Sequence, residues 1–373
     1  MKIKRIAYIV AVVMTVIVAL TLLASAYSGH IDPRRWFLYP FLAIALPGVL
    51  AVALLTAVAW AIARKWWLAA LPIIATAFSW PSVRTVTPFH PFAPNVNAME
   101  RDSTTFKLIT FNVSDFGPYN QKNFMPNPSM RYLLDQEADV VLLQEGSQER
   151  DYLKLSQNLS MIDELNAKYP YHSAPRRDLL ILSRYPYDEV TGELNKRLAN
   201  YSIKKGGHIR VYDVHLPSGD VRFINVHLFS IGLDSKDKDE FVGMTNKGGV
   251  TRRSEMKHFK RGPLNKVYNA IIYRDREVGI LREVVAESPT ERVVVAGDFN
   301  DTPASWCYWK ARGDDLNDAW ADAGFGYVNT FNKHRMWFKI DQMLYRGVNV
   351  EAIQRDRVGD SDHYPLCAVF RFK

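Results

Sequence analysis

The stretch VVVAGDFNDTPAS, residues 293–305, decides the fold. Its first four residues are apolar, and three of them are valines, the composition of a strand buried on both faces. The run then breaks into Gly297, Asp298, Phe299 and Asn300, and Pro303 closes a turn. An acid and an amide held at the tip of a buried strand cost stability. A chain that keeps them there uses them for chemistry.

Working outward, the same pattern recurs. FKLITFNV (106–113) is a β-rich run ending at Asn112, and ADVVLLQEG (138–146) ends at Gln144 and Glu145. DLLILSRYP (178–186) is a further strand. Residues 209–229, IRVYDVHLPSGDVRFINVHLF, read as two strands about a Pro-Ser-Gly-Asp turn, the second ending on Asn225-Val226-His227. FKIDQMLYR (338–346) carries Asp341, and Ser361-Asp362-His363 precedes the final run. Helical spacing marks MRYLLDQEA (130–138), LSQNLSMIDELNAKY (155–169), the long segment 268–288 and the region around 316–324. Long apolar strands separated by helices predict an α/β fold with sheets covered by helices, and two sheets packed together with helices outside would suit this many strands.

The N-terminal part differs. Residues 6–29, 36–63 and 66–83 contain no charged side chain. About 20 apolar residues cross a bilayer, so residues 1–84 read as a three-span anchor, 85–105 as a Pro- and Asn-rich linker, and 106–373 as the catalytic domain. Lys2, Lys4 and Arg5 precede the first span, and Arg64 and Lys65 separate the second from the third. The excess of cations on that side predicts a multi-pass protein of the cell inner membrane whose domain faces the periplasm. Trp36, Trp60, Trp66, Trp67 and Trp80 stand near the run ends, as interfacial aromatics do.

The net charge of +8 has the same origin. Up to Phe92 there are eight basic residues and one acid, Asp32, which leaves 39 basic and 38 acidic residues beyond it. A near-neutral domain gives no general sign of nucleic-acid binding. The two cysteines, Cys307 and Cys367, have no metal-ligand spacing and read as small buried thiols.

The motifs FNV, QE, NVHL, GDFNDTP, IDQ and SDHYP, in this order over residues 106–373, resemble the endonuclease/exonuclease/phosphatase superfamily. With the apolar N-terminus they resemble its bacterial membrane-tethered branch, common in Bacteroidetes. The resemblance implies a four-layer α/β sandwich, two packed mixed sheets flanked by helices, and a hydrolase that cleaves phosphoesters with a divalent ion, usually Mg²⁺, with Mn²⁺ as the alternative. The chemistry follows from the residues. Attack on phosphorus needs a positioned water and compensation of charge on the phosphoryl oxygens. Asp298 suits activation of the water, and Asn300, His227 and His363 suit phosphate binding or protonation of the leaving group. Asp341 is the implied partner of His363. Glu145 is the expected metal ligand, with Asn112 and Asp362 beside it, few protein ligands being what Mg²⁺ prefers.

Other residues read as structural. His215 falls at a hairpin, Asp301 in a turn, and Arg184 beside an aromatic-proline turn. Arg176 and Arg177 read as solvated or as a charge near phosphate. The basic segment 247–266 reads as a solvated loop or as a lid that recruits an anionic substrate. A lipid headgroup or small phosphoester is the favoured substrate. A nucleic acid is the alternative, and a non-catalytic membrane scaffold the third reading.

Overall fold

The computed structural model describes residues 2–35, 39–117, 127–147, 156–174, 178–192, 194, 196–197, 208–231, 263–333, 337–359 and 361–373. Four helices come first: α1 (Lys2–Tyr27), α2 (Tyr39–Ile62), α3 (Trp66–Phe78) and α4 (Trp80–Val86). They are followed by β1 (Thr105–Asn112), α5 (Pro128–Asp135), β2 (Val140–Gln144), α6 (Ser156–Lys168), β3 (Tyr171–His172), β4 (Leu180–Ser183), β5 (Tyr187–Val190), β6 (His208–Leu216) and β7 (Gly219–His227). The chain ends with α7 (Pro263–Ala286), β8 (Val293–Asp298), α8 (Trp306–Arg312), β9 (Asn317–Asp318), α9 (Ala319–Ala323), β10 (Asp341–Arg346), β11 (Val348–Arg355) and β12 (Leu366–Phe372).

The strands form two six-stranded mixed sheets, ordered β11-β12-β1-β2-β4-β3 and β5-β6-β7-β8-β10-β9. Each sheet has one inner parallel pair, β1 with β2 and β7 with β8. Alternation along the strands sorts the side chains into layers. In β8, Val294 and Ala296 face the other sheet and meet Phe106, Leu142 and Phe223. Val293 and Val295 face outward and pack under Val278, Leu281 and Val285 of α7. Across the other sheet, Ile109, Val141 and Leu143 are covered by Met130 and Leu133 of α5 and by Leu165 of α6. The result is the four-layer sandwich that the family resemblance implies. Short strands β3, β5 and β9 carry too little periodicity to be read from sequence. The same holds for α8, which starts where Ser305 caps Tyr308 N.

Two buried amides join the sheets just below their polar edge. Gln144 Nε2 donates to Asn225 Oδ1 at 2.7 Å, and Asn225 Nδ2 donates to the Leu143 and Leu180 carbonyls, both at 3.0 Å. Every one of these groups is buried, so the bonds satisfy donors and acceptors that water cannot reach. Gly297 is demanded by the same crowding. Its φ is +144°, and a Cβ there would run into the Val226 carbonyl. Cys307 and Cys367 are both free and buried.

Two helices, residues 3–30 and 39–62, are long and apolar enough to cross a membrane. The third apolar run is bent by 76° between α3 and α4. Pro81 opens α4, where its missing N–H costs nothing. The helices lie against the sandwich. Arg34 pairs with buried Asp275, which also accepts from Lys310 Nζ at 2.6 Å and Trp306 Nε1 at 2.7 Å. Arg84 pairs with Asp322. Gly29 sits against the Ala304 carbonyl where a Cβ would not fit, and the His30 and Trp309 rings lie 4.6 Å apart. Between α4 and β1 the chain is mostly irregular but held: Val96 is buried and its N–H donates to Gln354 Oε1, while Pro88 O accepts from Gly326 N.

Gly297→Ala combines a steric collision with loss of a left-handed residue. It is expected to destabilise the protein by about 2–4 kcal/mol, read as a lowered Tm in thermal unfolding.

Candidate active site

Parallel pairing within each sheet puts the C-terminal ends of β1 and β2, and of β7 and β8, on one edge. Antiparallel β10 begins there, with Asp341 paired opposite Asp298. The edges of the two sheets adjoin, and Asn112 Nδ2 spans the gap to Asp298 Oδ2 at 3.1 Å. Asn112, Glu145, His227, Asp298, Asn300, Asp341 and His363 all sit on this edge or in the loops that leave it.

Asp298 is the centre. It is almost wholly buried. Its Oδ1 accepts from the Asn300 N–H at 2.7 Å. Its Oδ2 faces Asn112 Nδ2, with His363 Nε2 at 3.7 Å and His227 Nε2 at 3.8 Å. The imidazole distances exceed hydrogen-bond length, so both Nε2–H donors remain available to a ligand. Each ring is fixed from behind. His363 Nδ1 lies 2.9 Å from Asp341 Oδ2, and His227 Nδ1 lies 3.0 Å from Asp178 Oδ2. These bonds orient each ring and favour its protonated form.

The charges follow. Burial opposes protonation of His363, but Asp341 and Asp298 outweigh it and raise its pKa to about 10. Burial likewise opposes His227, and the hydrogen bond to Asp178 with the charges of Asp298 and Glu145 raises its pKa to about 9. For Asp298, burial pushes the pKa up. His363 pulls it down, Asp341 pushes it up and His227 pulls it down again, leaving it raised to about 6. At neutral pH the site therefore holds a carboxylate between two imidazolium rings.

The loops that carry these groups are stitched together. Leu228 N donates to Asp298 O at 2.9 Å, and Asn300 Nδ2 donates to Leu228 O at 2.9 Å. Ser361 Oγ donates to Asn112 O at 2.7 Å and accepts from His363 N at 3.0 Å. Thr330 Oγ1 accepts from both Ile340 N and Asp341 N. Glu145 and Asn300 each hold φ at +49°. Asparagine tolerates the left-handed region, whereas a glutamate there is strained, as groups at functional sites often are.

The ligands expected for a hard divalent cation, Glu145, Asn112 and Asp362, are all oxygen donors. The Glu145 carboxylate is partly exposed and lies 3.1 Å from Asn112 Nδ2. Asn112 turns its Oδ1 toward Ser114 N–H at 3.0 Å, so its nitrogen faces the carboxylates and its amide would have to turn over to ligate. Asp362 is paired with Lys333 at 2.8 Å, and its pKa is lowered: burial raises it, but Lys333 and His363 outweigh that. Asp298, Asp341 and His363 also converge within 4.8 Å. Within this cluster Asp341 fixes the His363 ring at 2.9 Å and leaves its Nε2 directed toward Asp298 at 3.7 Å.

Asp178 is the site residue that sequence reading missed. It lies two residues before β4, and its own carbonyl accepts from Gly146 N at 2.9 Å. Only the antiparallel pairing of β4 with β2 places it beside Glu145. The residues read as structural fall elsewhere or act as supports. His215 sits at the hairpin between Asp188 and Asp220. His208 pairs opposite His227, and His215 lies seven residues further along β6, roughly 24 Å away. Asp301 accepts from Thr302 N and pairs with buried Arg274, which also donates to Phe229 O. Arg184 pairs with Glu137. Arg176, Arg177 and the basic residues 247–261 lie outside the described residues.

The fold and this edge define a phosphoester hydrolase of the two-sheet sandwich class. Residues 109–363 match the endonuclease/exonuclease/phosphatase family, and the chain belongs to it. Residues 7–86 match a domain of unknown function (DUF8431). Similar solved structures include the endonuclease/exonuclease/phosphatase from Beutenbergia cavernae, at 18% identity over 72% of each chain with a TM-score of 0.45. Another is the family protein from Bacteroides vulgatus, at 16% identity over 72% of this chain and 100% of that one, TM-score 0.44. A third is D. rerio TDP2 humanized by 14 mutations, at 14% identity over 72% and 99%, TM-score 0.45. No curated protein matches the chain.

The charge states predict a bell-shaped pH dependence of kcat/KM. Activity rises through about pH 6 as Asp298 ionises and falls above about pH 9 as His227 loses its proton. Asp178→Asn removes the carboxylate that holds His227 cationic, and is expected to move the alkaline limb down by about 1–2 pH units. Asp220→Asn, beside the remote His215, leaves the profile in place.

Proposed function

We propose that this chain is a membrane-anchored, divalent-metal-dependent phosphoesterase that hydrolyses a P–O bond by in-line attack of water. One observation carries the reading: a buried carboxylate, Asp298, lies between two imidazoles, each fixed from behind by a carboxylate, with their Nε2 atoms 3.7 and 3.8 Å from it and beyond hydrogen-bond length. Asp298 accepts the proton of the attacking water, a task that suits a base with a pKa just below neutrality. His227 and His363 donate to the phosphoryl oxygens, and the ring nearer the leaving oxygen gives up its proton. Asn300 has a second amide hydrogen for the same phosphoryl group, since Leu228 O takes only one. Mg²⁺ or Mn²⁺ held by Glu145, with Asn112 turned over and Asp362 alongside, would supply Lewis-acid compensation of the growing charge.

The substrate we favour is a lipid headgroup or another phosphoester at the bilayer surface. The loop 299–305 that follows Asp298 rests on the helical bundle: buried Ala304 packs with Leu22, Ala26, Leu46 and Leu50. This supports a site held near the membrane rather than at the end of a free tether. The helix ends that meet the sandwich lie opposite Lys4, Arg5, Arg64 and Lys65, which favours an inner-membrane protein with its domain in the periplasm. The near-neutral domain argues against duplex binding, which draws on many cationic contacts to phosphate.

The test uses the full chain in phospholipid vesicles, with Mg²⁺ or with a chelator. Release of phosphate or headgroup is compared with turnover of bis-p-nitrophenyl phosphate and plasmid DNA. Metal-dependent lipid turnover is expected, with Asp298→Asn and His363→Ala each lowering kcat by about 10²–10⁴-fold. Cutting of plasmid at low enzyme, with a steep loss on adding salt, would replace the lipid reading with a nuclease. Glu145→Gln is expected to raise the Mg²⁺ concentration needed for half-maximal rate. An unchanged metal titration would remove Glu145 from the ligand set.

A further inference from the structure

Between α2 and the loops that carry Asn300 and Asp341 lies a cavity of about 200 Å³. Ile44, Pro47 and Gly48 of α2 form one wall, and Pro303, Tyr327 and Lys339 form the other. Pro303 follows Asn300 by three residues and Lys339 precedes Asp341 by two, so the second wall belongs to the site's own loops. The volume equals roughly seven liquid waters. It falls short of the roughly 300–1,000 Å³ that a pocket for a whole small molecule occupies. It suits a segment of one hydrocarbon chain.

Three features point to the occupant. The wall is open at Gly48, an exposed residue where an added Cβ would meet nothing within 4 Å. Gly48 lies on a helix apolar enough to cross the bilayer, so on the proposed membrane placement the opening faces lipid. Lys339 lies in the opposite wall, 2% exposed, with the neutral amide oxygen of Gln342 as its hydrogen-bond acceptor. The carboxylates of Asp318 and Asp341 act on the same ammonium, so its charge is met within the protein. Beside the cavity, Phe89 and Phe325 lie ring to ring at 5.8 Å, and Tyr327 donates to the Trp337 carbonyl at 2.5 Å. All four aromatics are exposed, in keeping with a bilayer interface.

We propose that this cavity binds one acyl chain of a glycerophospholipid, which enters past Gly48 and leaves its headgroup at the loops of Asn300 and Asp341. The proposal deepens the lipid-phosphoesterase reading and rests on its membrane placement. The full chain would be placed in vesicles of phosphatidylethanolamine and phosphatidylglycerol containing a trace of phosphatidylglycerol with a photoreactive diazirine on one acyl chain. Cross-links would then be mapped by peptide mass spectrometry.

Labelling is expected at residues 43–48 and 302–303 well above that at Leu55, an exposed position on the same helix. Gly48→Leu, which fills the opening, should abolish the excess. It should raise KM for long-chain lipid by about tenfold and leave turnover of bis-p-nitrophenyl phosphate unchanged. Labelling no higher than at Leu55, or undiminished in Gly48→Leu, overturns the site. Specific labelling without lipid turnover keeps the site and overturns the lipid-substrate reading. Lipid turnover with labelling at the Leu55 level keeps that reading and overturns the site.

Discussion

The structure depends on one buried charge, Asp298. A carboxylate with 1% of its surface exposed would be expelled or protonated unless compensated. Here compensation comes from both sheets. The Asn112 amide reaches across from β1, His227 comes from the neighbouring strand tip, and His363 comes from the loop before β12. The second layer, Asp178 and Asp341, then keeps those rings charged. Four carboxylates, counting Glu145, stand against two imidazolium rings and leave two negative charges, which a divalent cation beside Glu145 would balance.

That balance explains why the polar groups crowd one edge while the strands behind them are uniformly apolar. The sandwich supplies rigidity through its inner core, and the Gln144–Asn225 bond pins the two sheets where the site spans them. A shift of one sheet relative to the other would part Asn112 from Asp298 and disturb the charge balance. The left-handed residues Glu145 and Asn300 are a local cost of turning side chains into this space. The helical bundle meets the same region from the other side, through Ala304, Gly29 and the Arg34–Asp275 pair. The apolar helices and the loop after Asp298 are therefore parts of one packed unit.

Much of this was legible because strand tips are local. A run of valines ending in Asp298 and Asn300 announces both a buried strand and a polar terminus, and the repetition at Asn112, Glu145, His227 and Asp341 multiplies the signal. Asp178 carried no such mark. It precedes its strand instead of ending one, and its neighbour His227 is 49 residues away on the other sheet. Arg274 was similarly hidden: it is a cation in the middle of an amphipathic helix, and only packing shows that it is buried against Asp301 and the Phe229 carbonyl. The chain between α4 and β1 looked like a tether because proline and asparagine break periodicity. Its hydrogen bonds to Gln354 and Gly326 depend on surfaces assembled from distant segments.

The sequence by itself determined the alternation of strands and helices, the apolar helices and the identity of most polar groups at the strand tips. These follow from hydrophobic period and residue type, which act over a few neighbours. Tertiary structure alone decided which tips face one another, that Asp178 stands behind His227, and that the helices cover the loop after Asp298. It also decided the charge states. A pKa is set by burial and by the charges within a few ångströms, and those neighbours come from segments that sequence order keeps apart.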